Sequence, residues 1–307
     1  MTADLLPENK RAEGFGIFRI VFNLAVTFGP MIGGLLAGVS YVLLFSVDAA
    51  TSFVTAAILF VFLRETRPQT APVSEGGETV PPETLAQTFR GYGAVLRDRV
   101  FVAFSLLGVL VWLVYMQMNT TLAVYLRDEH GVATTGFGLL IAMNAGMVVV
   151  MQLAVTRRVR GYSSMLVLAA GTALYAVGFS MYGYVSAALF FVLAMVIITV
   201  GEMMIVPVAQ AVVTQLSPEH MRGRYMAVFG FGHAISFGTG VWLAGQIISG
   251  LGPEWVWYLG GIVAAVTALG YVRLHRAVGA QVDDAIRAER ARAAAPESAL
   301  DMADVAV

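Results

Sequence analysis

The sequence predicts an all-α membrane protein with eight transmembrane helices, and three observations carry that expectation. Apolar residues make up 58% of its 307 residues against 13% charged, with a mean hydropathy of +0.76, far from soluble composition. Eight apolar stretches each approach the roughly 20 residues that a bilayer core about 30 Å thick demands of a helix. Basic residues then gather on alternate connections, as the positive-inside rule requires.

In chain order the spans are residues 14–37, 41–63, 101–125, 134–156, 163–183, 187–209, 224–248 and 255–274. Gly29-Pro30 and Pro207 fall inside spans. Bundled membrane helices tolerate such breakers because neighbouring helices re-satisfy the freed backbone, which favours helices over a barrel.

Lys10 and Arg11 precede the first span, and Arg64, Arg67, Arg90, Arg97 and Arg99 follow the second. Arg157, Arg158, Arg160, Arg222, Arg224, Arg273, Arg276, Arg287, Arg290 and Arg292 complete a set of 17 on one side, while Arg127 alone sits on the other. This places both termini in the cytoplasm and the protein in a cell (plasma or inner) membrane. The opening MTADLLPENK lacks the basic and apolar regions of a secretory signal and reads as an interhelical loop. Residues 65–98 form the one long connection. Its first part, rich in Pro, Glu and Gly, reads as a flexible linker, and its second as an interfacial helix with Leu85, Phe89, Tyr92 and Val95 at helical spacing. From about residue 278 the charged, Ala-rich tail reads as fraying helix followed by disorder.

Composition removes several function classes. A net charge of −1 gives no field for nucleic acid. The absence of cysteine removes disulfides, thiolate metal sites and thiol nucleophiles, and four scattered histidines make no metal centre. No Walker motif, HExxH or GxSxG occurs, so neither ATP coupling nor an enzyme is expected, and no cofactor is implied.

An internal repeat organises the rest. A shift of 211 residues aligns LLPENKRAEGFGIFRIVFNLAVTFGPMIGG with LSPEHMRGRYMAVFGFGHAISFGTGVWLAG, giving seven identities in about thirty positions. They are Leu5, Pro7, Glu8, Arg11, Phe18, Gly29 and Gly34, paired with Leu216, Pro218, Glu219, Arg222, Phe229, Gly240 and Gly245. Small residues four apart recur in both copies, with Ala25, Gly29 and Gly33 matching Ser236, Gly240 and Ala244. The first span matches the seventh and the second the eighth, so the unit is six helices. Spans three to eight make one whole unit, and the expectation is that four N-terminal helices are absent from this chain. The alternative is a genuine eight-helix protein.

These residues resemble the major facilitator superfamily, in particular its drug:proton antiporter branch of twelve helices in two six-helix halves. AVTFGPMIGG, residues 25–34, is similar to that branch's fifth-helix signature gxxxGPxxGG, with Ala25 in place of the first glycine. The resemblance implies a major facilitator fold lacking its first four helices. Residues 1–64 would then be the end of the N-terminal half, 65–98 the central cytoplasmic loop, 99–275 the complete C-terminal half and 276–307 a tail. Two features depart from the family pattern. The family's loop motif between its second and third helices falls in the region expected to be absent, its weaker second-half counterpart is represented only by the basic run TRRVRGYSS, and Val241 stands where the repeat has Pro30.

Gly29, Pro30, Gly33 and Gly34 predict a tight helix crossing, read either as static packing or, from the resemblance, as a seal between halves. An ionisable group inside a span costs roughly 2.5–3.5 kcal/mol on insertion scales and is a functional candidate by default. Glu202, in VIITVGEMMIVPVAQ, is the leading candidate for proton coupling or for attracting a cationic substrate; a hydrogen-bonded structural carboxyl is the alternative. Arg19 either snorkels to the interface or faces a central cavity, and Asp48 reads as structural. Asn23, Gln117, Asn119, Asn144 and His233 are cavity candidates, with Gln152 beside them, and each is equally read as an interhelical tie. Trp112, Tyr115, Met116 and Met118 suggest an adaptable apolar wall or plain packing.

A transporter accounts for the repeat, the signature and the isolated carboxyl together. The resemblance implies proton-coupled export of small lipophilic or drug-like molecules. Partners are then substrate, protons and the lipid bilayer, and the four absent helices as a separate chain. With half of the cavity wall absent, the chain alone is expected to transport poorly or not at all. The alternative is a truncated, non-transporting remnant or scaffold that needs a partner.

Overall fold

The computed structural model describes residues 40–62, 85–159, 161–218 and 221–294, the side chains as far as 278, and scattered residues between 21 and 39, which are helical. Arg19, Asn23, Pro30 and Gly34 lie outside the described residues, as does most of the first expected span. Among the described residues the structure is helical throughout, and seven helices are long and apolar enough to cross a membrane.

We number the helices α1 (Tyr41–Phe62), α2 (Leu85–Val95), α3 (Arg99–Thr120), α4 (Leu122–His130), α5 (Thr134–Val159), α6 (Ser164–Tyr184), α7 (Ala188–Leu216), α8 (Arg222–Gly250) and α9 (Trp255–Ala294). They fall into two units, one of residues 1–84 with 141–149 and the other of 85–140 with 150–307. In the first, α1 is exposed along most of its length.

Three boundaries differ from expectation for physical reasons. The single span expected over 101–125 is divided at Thr121, whose hydroxyl donates to Gln117 Oε1 at 2.6 Å. Backbone bonds from Thr121 N–H to the Gln117 carbonyl and from Tyr125 N–H to the Thr121 carbonyl, each 3.0 Å, keep α3 and α4 stacked end to end. The span expected to end at 209 runs on as helix to Leu216, because polar residues there end the apolar run without breaking the helix; Thr214 Oγ1 donates to the Gln210 carbonyl at 3.0 Å. The last span continues as helix through the tail to Ala294, 40 residues in all. Helix α2 forms where the spacing of Leu85, Phe89, Tyr92 and Val95 predicts it, with Val95 buried and Phe89 exposed.

In the second unit α6 packs against both α7 and α9, and α3 packs against α8 and α9. Asp98 fixes the start of α3 by accepting the Val100 and Phe101 N–H groups at 3.1 and 3.0 Å, the usual work of an N-cap. Its other oxygen accepts the Tyr225 hydroxyl at 3.1 Å and so ties α8 to the same corner. At the far end Gly131 closes α4 at φ 64°, a left-handed conformation suited to glycine. There Tyr125 Oη donates to the Tyr182 carbonyl at 2.9 Å, and Trp257 lies within 5.3 Å of both tyrosine rings. This aromatic cluster joins α4, α6 and α9.

Candidate functional site

Two helix crossings set the site. On α8 the stripe of Gly232, Ser236, Gly240 and Ala244 is buried. Small side chains there let the backbones approach, and polar groups then tie them. Ser236 Oγ donates to the Val109 carbonyl at 3.0 Å, and Gln117 Nε2 donates to the Gly240 carbonyl at 3.1 Å. With Thr121 on its oxygen, Gln117 is held at both ends as an α3–α8 tie.

The second crossing is between α6 and α7. A Cβ at Gly201 would stand 2.7 Å from the Gly171 carbonyl oxygen and 2.9 Å from the Tyr175 ring. Only glycine permits that approach, and it places Tyr175 against the turn that carries Glu202.

Glu202 is 9% exposed and Tyr175 is 2% exposed. Glu202 and Tyr115 both lie within electrostatic range of the Tyr175 hydroxyl. The rings of Tyr115 and Tyr175 stack at 5.9 Å, Tyr115 meets Trp112 edge-on at 5.2 Å, and Trp112 lies 3.9 Å from the His233 ring. A line of rings thus runs from α8 through α3 to α6 and ends beside the α7 carboxyl. His233 Nδ1 is buried and makes no well-formed hydrogen bond among the described residues, with the Phe229 and Gly230 carbonyls near its ring. Chemically, the line sets one buried carboxyl near tyrosine hydroxyls, groups able to donate or accept a hydrogen bond, and beside aromatic faces of the kind that attract cations.

The remaining candidates lie elsewhere. Asn119 is exposed, and Asn144 is buried on the part of α5 that belongs to the first unit. Asp48 is exposed on α1. Ala25 and Gly29 are exposed, and a Cβ on Gly33 would stand 4.0 Å from the Leu44 side chain. Among the described residues no atom stands within 4 Å of where a Gly29 Cβ would be. Tyr175 was not among the residues that the sequence singled out. Its signal was the flanking Gly171 and Gly178, spaced to clear one face of the helix. Among the described residues no three His, Cys, Asp or Glu side chains converge on a metal position.

Long apolar helices enclosing a carboxyl among aromatic rings define a multi-pass membrane protein with a polar site inside its bundle. The chain belongs to the Major Facilitator Superfamily, whose sequence model matches residues 1–207 and again residues 160–299. It is therefore of a transporter family and not an enzyme. Among its relatives, the Na(+), Li(+), K(+)/H(+) antiporter of Planococcus maritimus is 30% identical over 246 residues, which cover 74% of this chain and 57% of that protein. The MFS-type transporter YhjO of Bacillus subtilis (strain 168) is 24% identical over 256 residues, covering 83% of this chain and 60% of its own. The chain thus spans about three fifths of the length of these curated relatives.

Solved structures share the fold. A POT family transporter in complex with a thioalcohol-conjugated peptide superposes with TM-score 0.72 at 17% identity, covering 92% of this chain and 72% of that one. A bacterial homologue of the iron transporter ferroportin, in an outward-facing state, gives 0.59 at 15% identity, with coverage of 89% and 66%. At such identities the likeness is one of fold.

Proposed function

We propose that the chain serves proton-coupled antiport, with Glu202 as the group that carries the proton. The single observation behind this reading is the buried Glu202 beside Tyr175 inside an apolar helix. A carboxyl in that setting is costly when charged and unpaired, so it takes a proton or a cationic group in turn. The relative named as a cation/H(+) antiporter supports the proton side of the exchange.

The exported substrate is a small lipophilic, drug-like molecule, which Trp112, Tyr115 and His233 receive on their ring faces. Export runs from the cytoplasm across the cell membrane. The 17 basic residues on one side support cytoplasmic termini. In this reading residues 1–64 close the N-terminal half, 65–98 form the central loop, 99–275 form the C-terminal half and 276–307 a tail.

A second reading, exchange of a monovalent metal cation, is favoured by the relative of Planococcus maritimus, a Na(+), Li(+), K(+)/H(+) antiporter. Binding separates the two. Ethidium binding is followed by fluorescence, and Na+, Li+ and K+ binding by calorimetry, on the purified chain between pH 5 and 8. The first reading expects ethidium affinity that weakens by about tenfold per pH unit on the acid side, the slope for one competing proton. Alkali-ion binding with no ethidium binding selects the second reading, and affinity independent of pH sinks both.

A further inference from the structure

Pro207 lies inside α7 and has no N–H, so the Met203 carbonyl, one turn earlier, loses its helical partner. Met203 follows Glu202 directly and is fully buried. Its carbonyl nevertheless has a donor. Gln152 on α5 reaches across with Nε2 and donates to it at 3.0 Å, and the same nitrogen stands 2.9 Å from Thr156 Oγ1. Gln152 Oε1 is buried and has no hydrogen-bond partner among the described residues. A glutamine serving only as an interhelical tie would satisfy both ends of its amide. This one gives its donor end to the freed carbonyl and leaves its oxygen bare, because the flipped amide would set two oxygens face to face.

We propose that Gln152 is a positioning residue for Glu202: it supplies the hydrogen bond that Pro207 removes, and so fixes the turn of α7 on which Glu202 stands. The assignment rests on the reading of Glu202 as the proton-carrying group. On one side that turn is already held by the glycine crossing with α6; Gln152 holds it from α5. Without Gln152 the helix opens at the proline, and the Glu202 carboxyl leaves the surroundings that set its proton affinity. Among the described residues, the titratable groups placed near Glu202 are Tyr175 on α6 and, through the Tyr175 ring, Tyr115 on α3, with His233 on α8 further along the rings.

The test uses the purified chain in lipid and two readouts. Amide hydrogen exchange of the peptide over 198–212 reports the turn. The infrared band of a protonated carboxyl, titrated with pH and assigned by its loss in Glu202→Gln, reports the proton. Gln152→Leu is expected to speed exchange about tenfold, the factor matching one hydrogen bond of ordinary net worth. It is also expected to move the Glu202 midpoint by about half a pH unit or more, a small fraction of the excursions that burial allows. Adding Pro207→Ala restores the backbone donor, so the double variant is expected to return both readouts towards wild type.

That rescue separates positioning from general packing damage. A band present in wild type but unmoved in Gln152→Leu overturns the assignment alone. A band absent from wild type overturns the Glu202 reading and the assignment with it. Failure of Pro207→Ala to restore exchange also overturns it. Should Gln152→Leu not fold, recovery of folding in the double variant supports the assignment, and failure of both overturns it.

Discussion

Gly201 and Gly171 meet backbone to backbone: a Cβ on Gly201 would lie 2.7 Å from the Gly171 carbonyl oxygen, and one on Gly171 would lie 3.0 Å from the Gly201 carbonyl oxygen. Because both carbonyls are fixed within helices, neither can give way as a flexible side chain would. Gly201→Ala gains about 1 kcal/mol of helix propensity. It loses roughly 1–3 kcal/mol to overpacking, at the upper end for a fixed backbone contact, so we expect a net loss of about 2 kcal/mol. Gly238→Ala on α8, where no described residue lies within 4 Å of the added Cβ, is expected to leave stability unchanged or raise it. Thermal unfolding in detergent compares the two.

Gln117 spends its polar atoms on Gly240 and Thr121. Gln117→Leu therefore costs about 1 kcal/mol of stability, the scale of a hydrogen bond between membrane helices. Ethidium binding and its pH dependence are expected to be unchanged, which fluorescence titration checks. A lost or pH-shifted response would place Gln117 in the substrate path instead.

Asp98 performs two tasks, and substitutions separate them. Asp98→Ala removes the cap and the Tyr225 partner together, for about 1–2 kcal/mol. Asp98→Asn keeps a capping oxygen, and Tyr225→Phe loses one partly buried hydrogen bond, so each is expected to cost about 1 kcal/mol or less. Unfolding midpoints rank the three.

Trp112 presents its ring between His233 and Tyr115. A cation on a partly desolvated tryptophan face gains about 1–2 kcal/mol, so Trp112→Leu is expected to weaken ethidium binding roughly 5- to 30-fold. Trp242→Leu, an exposed substitution on α8, is expected to leave it unchanged. Fluorescence titration of both variants checks the difference.

Much of the fold was legible in the sequence because hydropathy is a one-dimensional property: each described span has a helix where the apolar run stands. The stripe of Ser236, Gly240 and Ala244 was legible too, since spacing of four puts small residues on one face, and the structure sets that face against α3. Partners were not legible. Gln117 and His233 are read alike as intramembrane polar residues, yet Gln117 is saturated by Gly240 and Thr121 while His233 lies against Trp112. The partner of the Met203 carbonyl sits 51 residues earlier in the chain, and only helix rotation brings Gln152 to it. Tyr175 looks like packing until Gly201 places it beside Glu202. Helix ends were missed where polar residues continue a helix, as between 209 and Leu216.

The central claim is that Glu202 exchanges a proton for substrate. The most direct measurement is proton release on ethidium binding, read with a pH indicator in weakly buffered detergent solution near the midpoint of the ethidium response. The wild-type chain is expected to release up to about one proton per ethidium bound, as linkage between two ligands of one site requires. Glu202→Gln is expected to release none while still folding. Equal release from wild type and Glu202→Gln would contradict the account and move the proton to another group.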